Sequence, residues 1–152
     1  MQGLSNNRKI RNATPLEYDG ITFKSKLEVM IYKTLKEEGF PVQYEPEKIS
    51  IWEGFKPTVP FYDKDNVSRL LKLHMTKLLN ITYTPDFMFT YNGYQVIVEA
   101  KGFVNDVFPI KLKLFRAWLE DHPKSIYFEI HSKKQLLQAI DIIKNLKQEN
   151  NE

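Results

Sequence analysis

Asp86, Glu99 and Lys101 are the side chains of this sequence whose types and spacing best suit a chemical reaction. They lie on the two sides of Asn92-Gly93, a dipeptide that favours a two-residue type I′ turn between antiparallel strands. A hairpin with this turn places Asp86 directly opposite Glu99, with Cβ atoms about 4.5–5.5 Å apart. Because side chains alternate between the faces of a strand, Lys101 lies on the same face as both acids.

The opposite face of this hairpin is apolar, so it is expected to face the core of the domain. Only the face that carries the charges is then available for chemistry. The residues of the apolar face are Phe87, Phe89, Val96, Val98 and Ala100.

Two opposed acids repel each other, so a fold that keeps them needs compensation at this place. A Mg²⁺ ion compensates well, because proteins hold it with one or two carboxylates, water and substrate phosphate oxygens. Lys101 could then steady an attacking water or the charge that develops on a phosphate. The arrangement therefore indicates metal-assisted hydrolysis of a phosphodiester. The alternative is a solvated strand face on which Lys101 screens the two acids.

The rest of the sequence predicts a mixed α/β domain around this hairpin. Asp19-Gly20 is typical of a second small hairpin, and apolar spacing predicts a helix from Ser25 to Gly39. The stretch 53–80 holds two prolines and is expected to be an insertion with a short helix at 67–79. The other predicted elements are a strand at 43–52, strands at 81–91 and 94–101, a helix at 109–121, a strand at 125–131 and a helix at 132–147.

Glu28 has two interpretations. Ser25-Lys26-Leu27-Glu28 has the spacing of a capping box, in which Ser25 and Glu28 satisfy free amides at the start of a helix. Glu28 is also a carboxylate that a helix could direct towards a metal. Both roles remain open from the residues alone.

The composition describes an ordinary globular chain. Its 152 residues make about one domain, and 42% of them are hydrophobic. Cysteine is absent, which excludes disulfides, thiolate metal ligands and a thiol nucleophile. No apolar run is long enough for a membrane span, and the first residues do not resemble a signal peptide. These features predict a cytoplasmic protein without membrane partners, whether the gene belongs to a cell or to a virus, and the family resemblance given below implies a bacterial or phage-infected cell.

The net charge is only +3, but the basic residues are clustered. Residues 1–15 are expected to form a flexible basic arm ahead of a single domain at 16–148. Local basic clusters are compatible with a polyanionic partner, although a solvated surface has the same appearance. The candidate phosphate contacts are Arg8, Lys9, Arg11, Lys72, Lys77, Lys111, Lys113 and Arg116.

A family resemblance adds to this interpretation. Thr84-Pro85-Asp86 followed by Glu99-Ala100-Lys101 resembles the motif of the PD-(D/E)XK nucleases, and the context is similar to that of the phage endonuclease I type of Holliday-junction resolvase. The resemblance covers roughly residues 18–131 and implies a restriction-endonuclease-like fold. That fold has a central mixed β-sheet flanked by helices, with an αβββαβ core. It further implies a metal-dependent endodeoxyribonuclease that cuts branched DNA, acts as a homodimer and uses Mg²⁺, with Mn²⁺ able to substitute.

The resemblance also implies roles for individual residues. Asp86, Glu99 and Glu28 would be metal ligands, joined by the backbone carbonyl of Ala100, and Lys101 would be the catalytic lysine. The stretch 53–80 is longer than the corresponding link in the resolvases, which leaves the mode of dimerisation open.

Three other functions are compatible with the same sequence. The first is a site-specific or transposon-end nuclease. The second is a non-catalytic DNA-binding module on the same fold, although such a module has no need of opposed carboxylates. The third is a structural or interaction protein, which would bind no nucleic acid.

Overall fold

The computed structural model describes residues 15–102 and 107–147, and it confirms the predicted mixed α/β class. Nearly all of the predicted basic arm, including Arg8, Lys9 and Arg11, lies outside the described residues. Within the described ranges, no helix is both long and apolar enough to cross a membrane. In chain order the elements are β1 (Leu16–Tyr18), β2 (Ile21–Phe23), α1 (Lys26–Glu37), β3 (Gln43–Tyr44), β4 (Ile49–Trp52), β5 (Tyr62–Lys64), β6 (Leu71–Leu73), β7 (Ile81–Tyr83), β8 (Phe87–Tyr91), β9 (Tyr94–Ala100), α2 (Phe108–Glu120), β10 (Ser125–Ile130) and α3 (Lys133–Lys144).

The chain forms two compact units, each assembled from separate segments. Unit 1 contains the described parts of Met1–Pro46, Pro85–Val104 and Lys124–Glu152. Unit 2 contains Glu47–Thr84 and the described part of Asn105–Pro123, so the stretch 53–80 lies entirely within it.

Unit 1 is built on a four-stranded mixed sheet in the order β10-β9-β8-β3. Strands β8 and β9 are antiparallel, β3 is antiparallel to β8, and β10 is parallel to β9. Helices α1 and α3 contact each other and this sheet, and together they enclose the main apolar core. The predicted apolar face of the hairpin is confirmed, because Phe87, Phe89, Val96 and Val98 belong to that core and Ala100 packs against it.

Local sequence explains the first elements of unit 1. Asp19 and Gly20 have positive φ angles of 54° and 72°, and they join β1 and β2 in the predicted hairpin. Ser25 is the N-cap of α1, as expected. The helix ends just before Gly39, whose φ of 83° is the left-handed conformation that glycine adopts without a steric cost.

Unit 2 contains two separate antiparallel strand pairs and one helix. Strand β4 pairs with β7, β5 pairs with β6, and α2 packs on β4 and β7. The buried ring of Phe115 in α2 lies 4.7 Å from the ring of Tyr83 in β7, measured between centroids. Gly54 lies where the chain approaches the backbone of residue 78, because a Cβ there would be 1.8 Å from the Leu78 carbonyl oxygen.

The prediction of a single strand at 43–52 is wrong. The stretch forms β3 in unit 1 and β4 in unit 2, separated by residues 45–48. Glu45 has a φ of 45°, which a strand does not adopt, and Pro46 has no N–H for a ladder bond. The predicted strand at 81–91 is divided in the same way, with β7 and β8 on either side of Thr84-Pro85-Asp86.

The prediction of a helix at 67–79 is also wrong, because this stretch contains β6 and no helix. Asp65 accepts hydrogen bonds from the N–H groups of Val67 and Ser68, which closes a turn instead of a helical start. Arg69 then has a φ of 66°, outside the helical range. Leu71 and Leu73 therefore lie on the same face of a strand, two residues apart.

Candidate active site

The Asn92-Gly93 turn sets the register that positions the acidic residues. Both residues have positive φ, 48° and 80°, as a type I′ turn requires. The ladder runs from Tyr91–Tyr94 to Phe87–Val98, as predicted. Asp86 and Glu99 lie one step beyond this last pair, and the Asp86 N–H donates to Glu99 Oε2 at 3.3 Å.

Asp86 is buried beside the negative charge of Glu99. Only 8% of Asp86 is exposed, and its Oδ2 accepts the Ala100 N–H at 2.8 Å. Burial is the main cause that raises its pKa to about 8, and the neighbouring Glu99 charge raises it further. The bond from Ala100 opposes these effects without overcoming them. Asp86 therefore binds a proton much more readily than a solvated aspartate does, and a solvated strand face does not fit its burial.

Lys101 provides a positive charge next to this pair, and Lys24 acts on Asp86 as a second cation. It follows the last residue of β9, only 7% of it is exposed, and its Nζ lies 3.9 Å from Glu99 Oε1. Its N–H donates to the Ile130 carbonyl at 2.9 Å, which fixes the main chain at this point. Burial lowers the pKa of Lys101, while the charges of Glu99, Glu129 and Asp86 act in the opposite direction. The lysine is thus a buried cation held among acids.

Glu28 contributes to the start of α1 and also lies close enough to Asp86 for their charges to interact. Its N–H donates to Ser25 Oγ at 3.1 Å, which is half of a capping box. The return bond goes to the Lys24 N–H at 2.8 Å, not to that of Ser25. The same oxygen, Oε2, accepts the Tyr44 hydroxyl at 2.9 Å. Glu28 is only 6% exposed, and its charge contributes to the raised pKa of Asp86.

Four predicted site residues, Glu28, Asp86, Glu99 and Lys101, therefore share one electrostatic environment in unit 1. The sequence did not identify two residues that join them. Tyr44 on β3 bonds Glu28, and Glu129 on β10 pairs with Glu99 in the parallel register. The alternation of β10 could have indicated the face of Glu129, but no local turn fixes a parallel register.

The donor set fits a small divalent cation only in part. Within residues 15–102 and 107–147, no three histidine or acidic side chains converge closely enough to hold a metal. Asp86 and Glu99 nevertheless form a carboxylate pair, and one or two carboxylates with water are the usual protein ligands of Mg²⁺. Burial and the Glu99 charge raise the pKa of Asp86, and a cation bound at the pair would act in the opposite direction. The pair thus suits an ion that keeps much of its water.

The described candidates for phosphate contact all belong to unit 2. Lys72 lies 3.6 Å from the Asp65 carboxylate, so part of its charge is already balanced. Lys77 lines a cavity that is described below. The remaining three lie on α2 and are Lys111, Lys113 and Arg116.

Residues 8–136 match the family described as "Protein of unknown function (DUF1064)". The chain belongs to the DUF1064 family. The DUF1064 match includes all four clustered site residues and most of both units, and it ends within α3. No curated protein and no solved structure matches the chain significantly.

Proposed function

We propose that this protein is a metal-dependent endodeoxyribonuclease with a restriction-endonuclease-like core, of phage or prophage type. The observation that carries the proposal is the pair of Asp86, which is buried, and Glu99, whose side chain is 12% exposed, with buried Lys101 beside it. A plain structural role gives no reason to place a second acid beside a buried one, since their repulsion destabilises the fold. Hydrolysis of a phosphodiester does give one.

Asp86 and Glu99 would hold Mg²⁺, together with the carbonyl of Ala100. Glu28 would reach the ion through a bound water, since no three acidic side chains converge on one point within the described residues. Ala100 already contacts Asp86 through its N–H, so its main chain lies at the pair. When bound, Mg²⁺ supplies positive charge that lowers the pKa of a bound water and offsets the charge of the phosphate. Glu28 is oriented by two hydrogen bonds to Oε2, which limits its movement.

Lys101 would donate to the attacking water or to a phosphate oxygen. Its buried position keeps its ammonium partly desolvated, and desolvation strengthens interaction with the charge of the transition state. Attack at phosphorus breaks one P–O bond and leaves a phosphate on one DNA end and a hydroxyl on the other. Glu99, 3.9 Å from Nζ, positions the lysine for this contact.

The proposed substrate is branched DNA, and the proposed active form is a homodimer, as the resemblance to junction resolvases implies. Two subunits would supply the two cuts that resolve a junction. Sedimentation of the purified protein measures its oligomeric state directly. A monomer at the concentrations used in the cleavage assay would contradict the proposed homodimer.

A gel assay tests the activity. A four-way junction, a nicked duplex and a linear duplex are each incubated with Mg²⁺, Mn²⁺ or EDTA. We expect cleavage with either metal, fastest on the junction, and none in EDTA. The variants Asp86→Asn and Lys101→Ala control for contaminating nucleases, and Lys133→Ala, which removes an exposed lysine of α3, is the matched control.

Each contrary result has a defined meaning. Cleavage that persists in excess EDTA would exclude the metal mechanism. Binding of DNA without cleavage of any substrate would favour a non-catalytic DNA-binding module. Equal cleavage of all three substrates would support the nuclease activity but contradict a preference for branched DNA.

A further inference from the structure

A cavity of about 770 Å³ lies within unit 2, between residues 55–61 and 74–78. Two main-chain bonds tie these segments together. The Leu78 N–H donates to the Phe55 carbonyl at 2.9 Å, and the His74 N–H donates to the Phe61 carbonyl at 2.8 Å. The cavity is thus held at both ends by the backbone, and its size lies in the range of small-molecule sites, about 300–1,000 Å³.

The sequence explains why a cavity opens between the two bonds. Pro57 and Pro60 lie in the segment between Phe55 and Phe61, and neither has an N–H to donate to the other segment. A regular ladder cannot continue through these positions. The two segments therefore meet at both ends and separate in the middle.

The cavity wall combines aromatic rings with cations. Phe55 and Phe61 line it while 52% and 61% exposed, so their rings are open to solvent. Lys56 and Lys77 also line it, and none of the described residues of the wall is acidic. The wall therefore suits a ligand with a flat apolar part and a negative charge.

His74 contributes an unsatisfied polar atom to the same wall. Its Nε2 is buried and has no hydrogen-bond partner within the described part of the chain, while its ring lies 6.1 Å from that of Phe61. A buried polar atom without a partner is costly, so a rotation of the His74 ring that brings Nε2 to a ligand atom in the cavity would stabilise the complex.

We infer that this cavity binds an unpaired nucleotide of a DNA strand. A base would stack on Phe55 or Phe61, its polar edge would bond His74 Nε2, and the adjoining phosphates would contact Lys56 and Lys77. An unpaired base offers the free face and edge that this wall needs, whereas a base within a duplex does not. The choice of DNA rests on the proposed function, whereas the cavity and its contacts belong to unit 2 alone.

Fluorescence anisotropy in EDTA tests the inference without any cleavage. The probes are a labelled strand of about ten thymidines and an abasic strand of equal length and charge. Stacking contributes about 1–3 kcal/mol per base, so we expect the thymidine strand to bind about five- to hundredfold more tightly. Equal affinity for both strands would overturn the inference, because charge alone would then explain binding.

Two neighbouring aromatic residues provide a matched pair of variants. Phe61→Ala should remove most of the preference for the thymidine strand. Tyr62→Ala should keep it, because Tyr62 is similarly exposed but does not line the cavity. Both side chains are more than half exposed, so both variants should fold, and circular dichroism checks this.

A second variant separates the polar contact from stacking. His74→Leu should weaken binding of the thymidine strand several-fold and leave binding of the abasic strand unchanged.

Equal losses of affinity for the thymidine strand in Phe61→Ala and Tyr62→Ala would contradict a specific cavity. Self-association that excludes both strands, and that Phe61→Ala abolishes, would instead assign this surface to a second copy of the chain. The anisotropy assay contains no metal and measures no cleavage. If the gel assay showed no nuclease activity, the binding results would therefore still test the cavity by themselves.

Discussion

The main-chain N–H of Asp86 donates to the carboxylate of Glu99 at 3.3 Å, although the side chains of the two residues repel each other. The hydrogen bond holds Glu99 at the end of β8, while burial and the Glu99 charge raise the pKa of Asp86 to about 8. A main-chain hydrogen bond therefore holds the two residues together, while the Glu99 charge and burial destabilise the ionised form of Asp86. A variant at Asp86 can measure the second of these effects.

Asp86→Asn should be inactive yet melt higher than the wild type at pH 7 in EDTA. With a pKa of about 8, Asp86 is mostly protonated in the folded protein at pH 7, so folding must bind a proton that the unfolded chain lacks, and asparagine avoids this cost with almost no change of shape. We expect a gain of about 1–3 kcal/mol, or several degrees in Tm. Mg²⁺ should narrow or reverse the gap, because an ion stabilises only the protein that binds it well. Calorimetry with and without Mg²⁺ makes the comparison, with Asp141→Asn as the exposed control.

The pH dependence of stability gives the sign of the same effect. The folded-state pKa of Asp86 is raised above its unfolded value. The stability that protonated Asp86 contributes is therefore fully present below about pH 4 and is lost as pH rises towards 8. The difference in Tm between Asp86→Asn and wild type should therefore grow across that window in EDTA. A mutant that melts lower than wild type at pH 7 would mean that the carboxylate has a stabilising partner, such as Lys101.

Lys101→Ala should reduce the single-turnover cleavage rate by at least about a hundredfold while DNA and metal binding stay nearly unchanged. Removal of one donor that stabilises a transition state typically costs a factor of about 10²–10³. Quench-flow cleavage and filter binding measure the two quantities separately. Lys101→Met, which retains the apolar stem, should show the same rate loss, and a near-normal rate in either variant would remove Lys101 from the mechanism.

Glu28→Gln separates the cap from the metal ligand. Glutamine keeps an oxygen that can accept from the Lys24 N–H and the Tyr44 hydroxyl, but it loses the charge. We expect a melting temperature close to wild type and a cleavage rate about a hundredfold lower. Ser25→Ala is the converse variant, which should cost about 1 kcal/mol of stability and cut normally. Normal cleavage by Glu28→Gln would make Glu28 a cap alone.

Tyr44→Phe should lower the cleavage rate several-fold, because its hydroxyl orients Glu28. Tyr32→Phe is a close control, since the Tyr32 hydroxyl donates to the Asp19 carboxylate at 2.7 Å, away from the site. Each loses one hydrogen bond to a carboxylate, worth about 1.5–3 kcal/mol. Comparable stability losses with different cleavage rates would support a positioning role for Tyr44, and equal rates would exclude it.

The sequence predicted those parts of the site that local geometry determines. Asn92-Gly93 has one favoured turn, so the ladder that ends at Phe87 and Val98, and the burial of these two residues, followed directly. Asp86 and Glu99 lie one step beyond that ladder, where the Asp86 N–H donates to the Glu99 carboxylate. The N-cap at Ser25 was predictable for the same reason, because its side chain bonds an amide three residues away.

The remaining features depend on contacts between distant parts of the chain. Glu129 lies beside Glu99 through a parallel pairing whose crossover contains α2, and no short motif encodes that register. Leucines in the stretch 67–79 suit a helix by spacing, but the turn closed by Asp65 overrides that preference. The residue types of 43–52 favour one long strand that includes Tyr44, but the positive φ of Glu45 and the missing N–H of Pro46 end β3 at Tyr44.

The short chain separation within the site also bears on how the protein folds. Asp86 and Glu99 are 13 positions apart and joined by a tight turn, so they meet when the hairpin closes, whereas Glu28 must arrive from a separate helix. If the hairpin is formed in the folding transition state, the repulsion of the pair raises the folding barrier itself. A proton, a metal ion or the Asp86→Asn change would each remove this repulsion. Each would then mainly increase the folding rate and leave the unfolding rate almost unchanged.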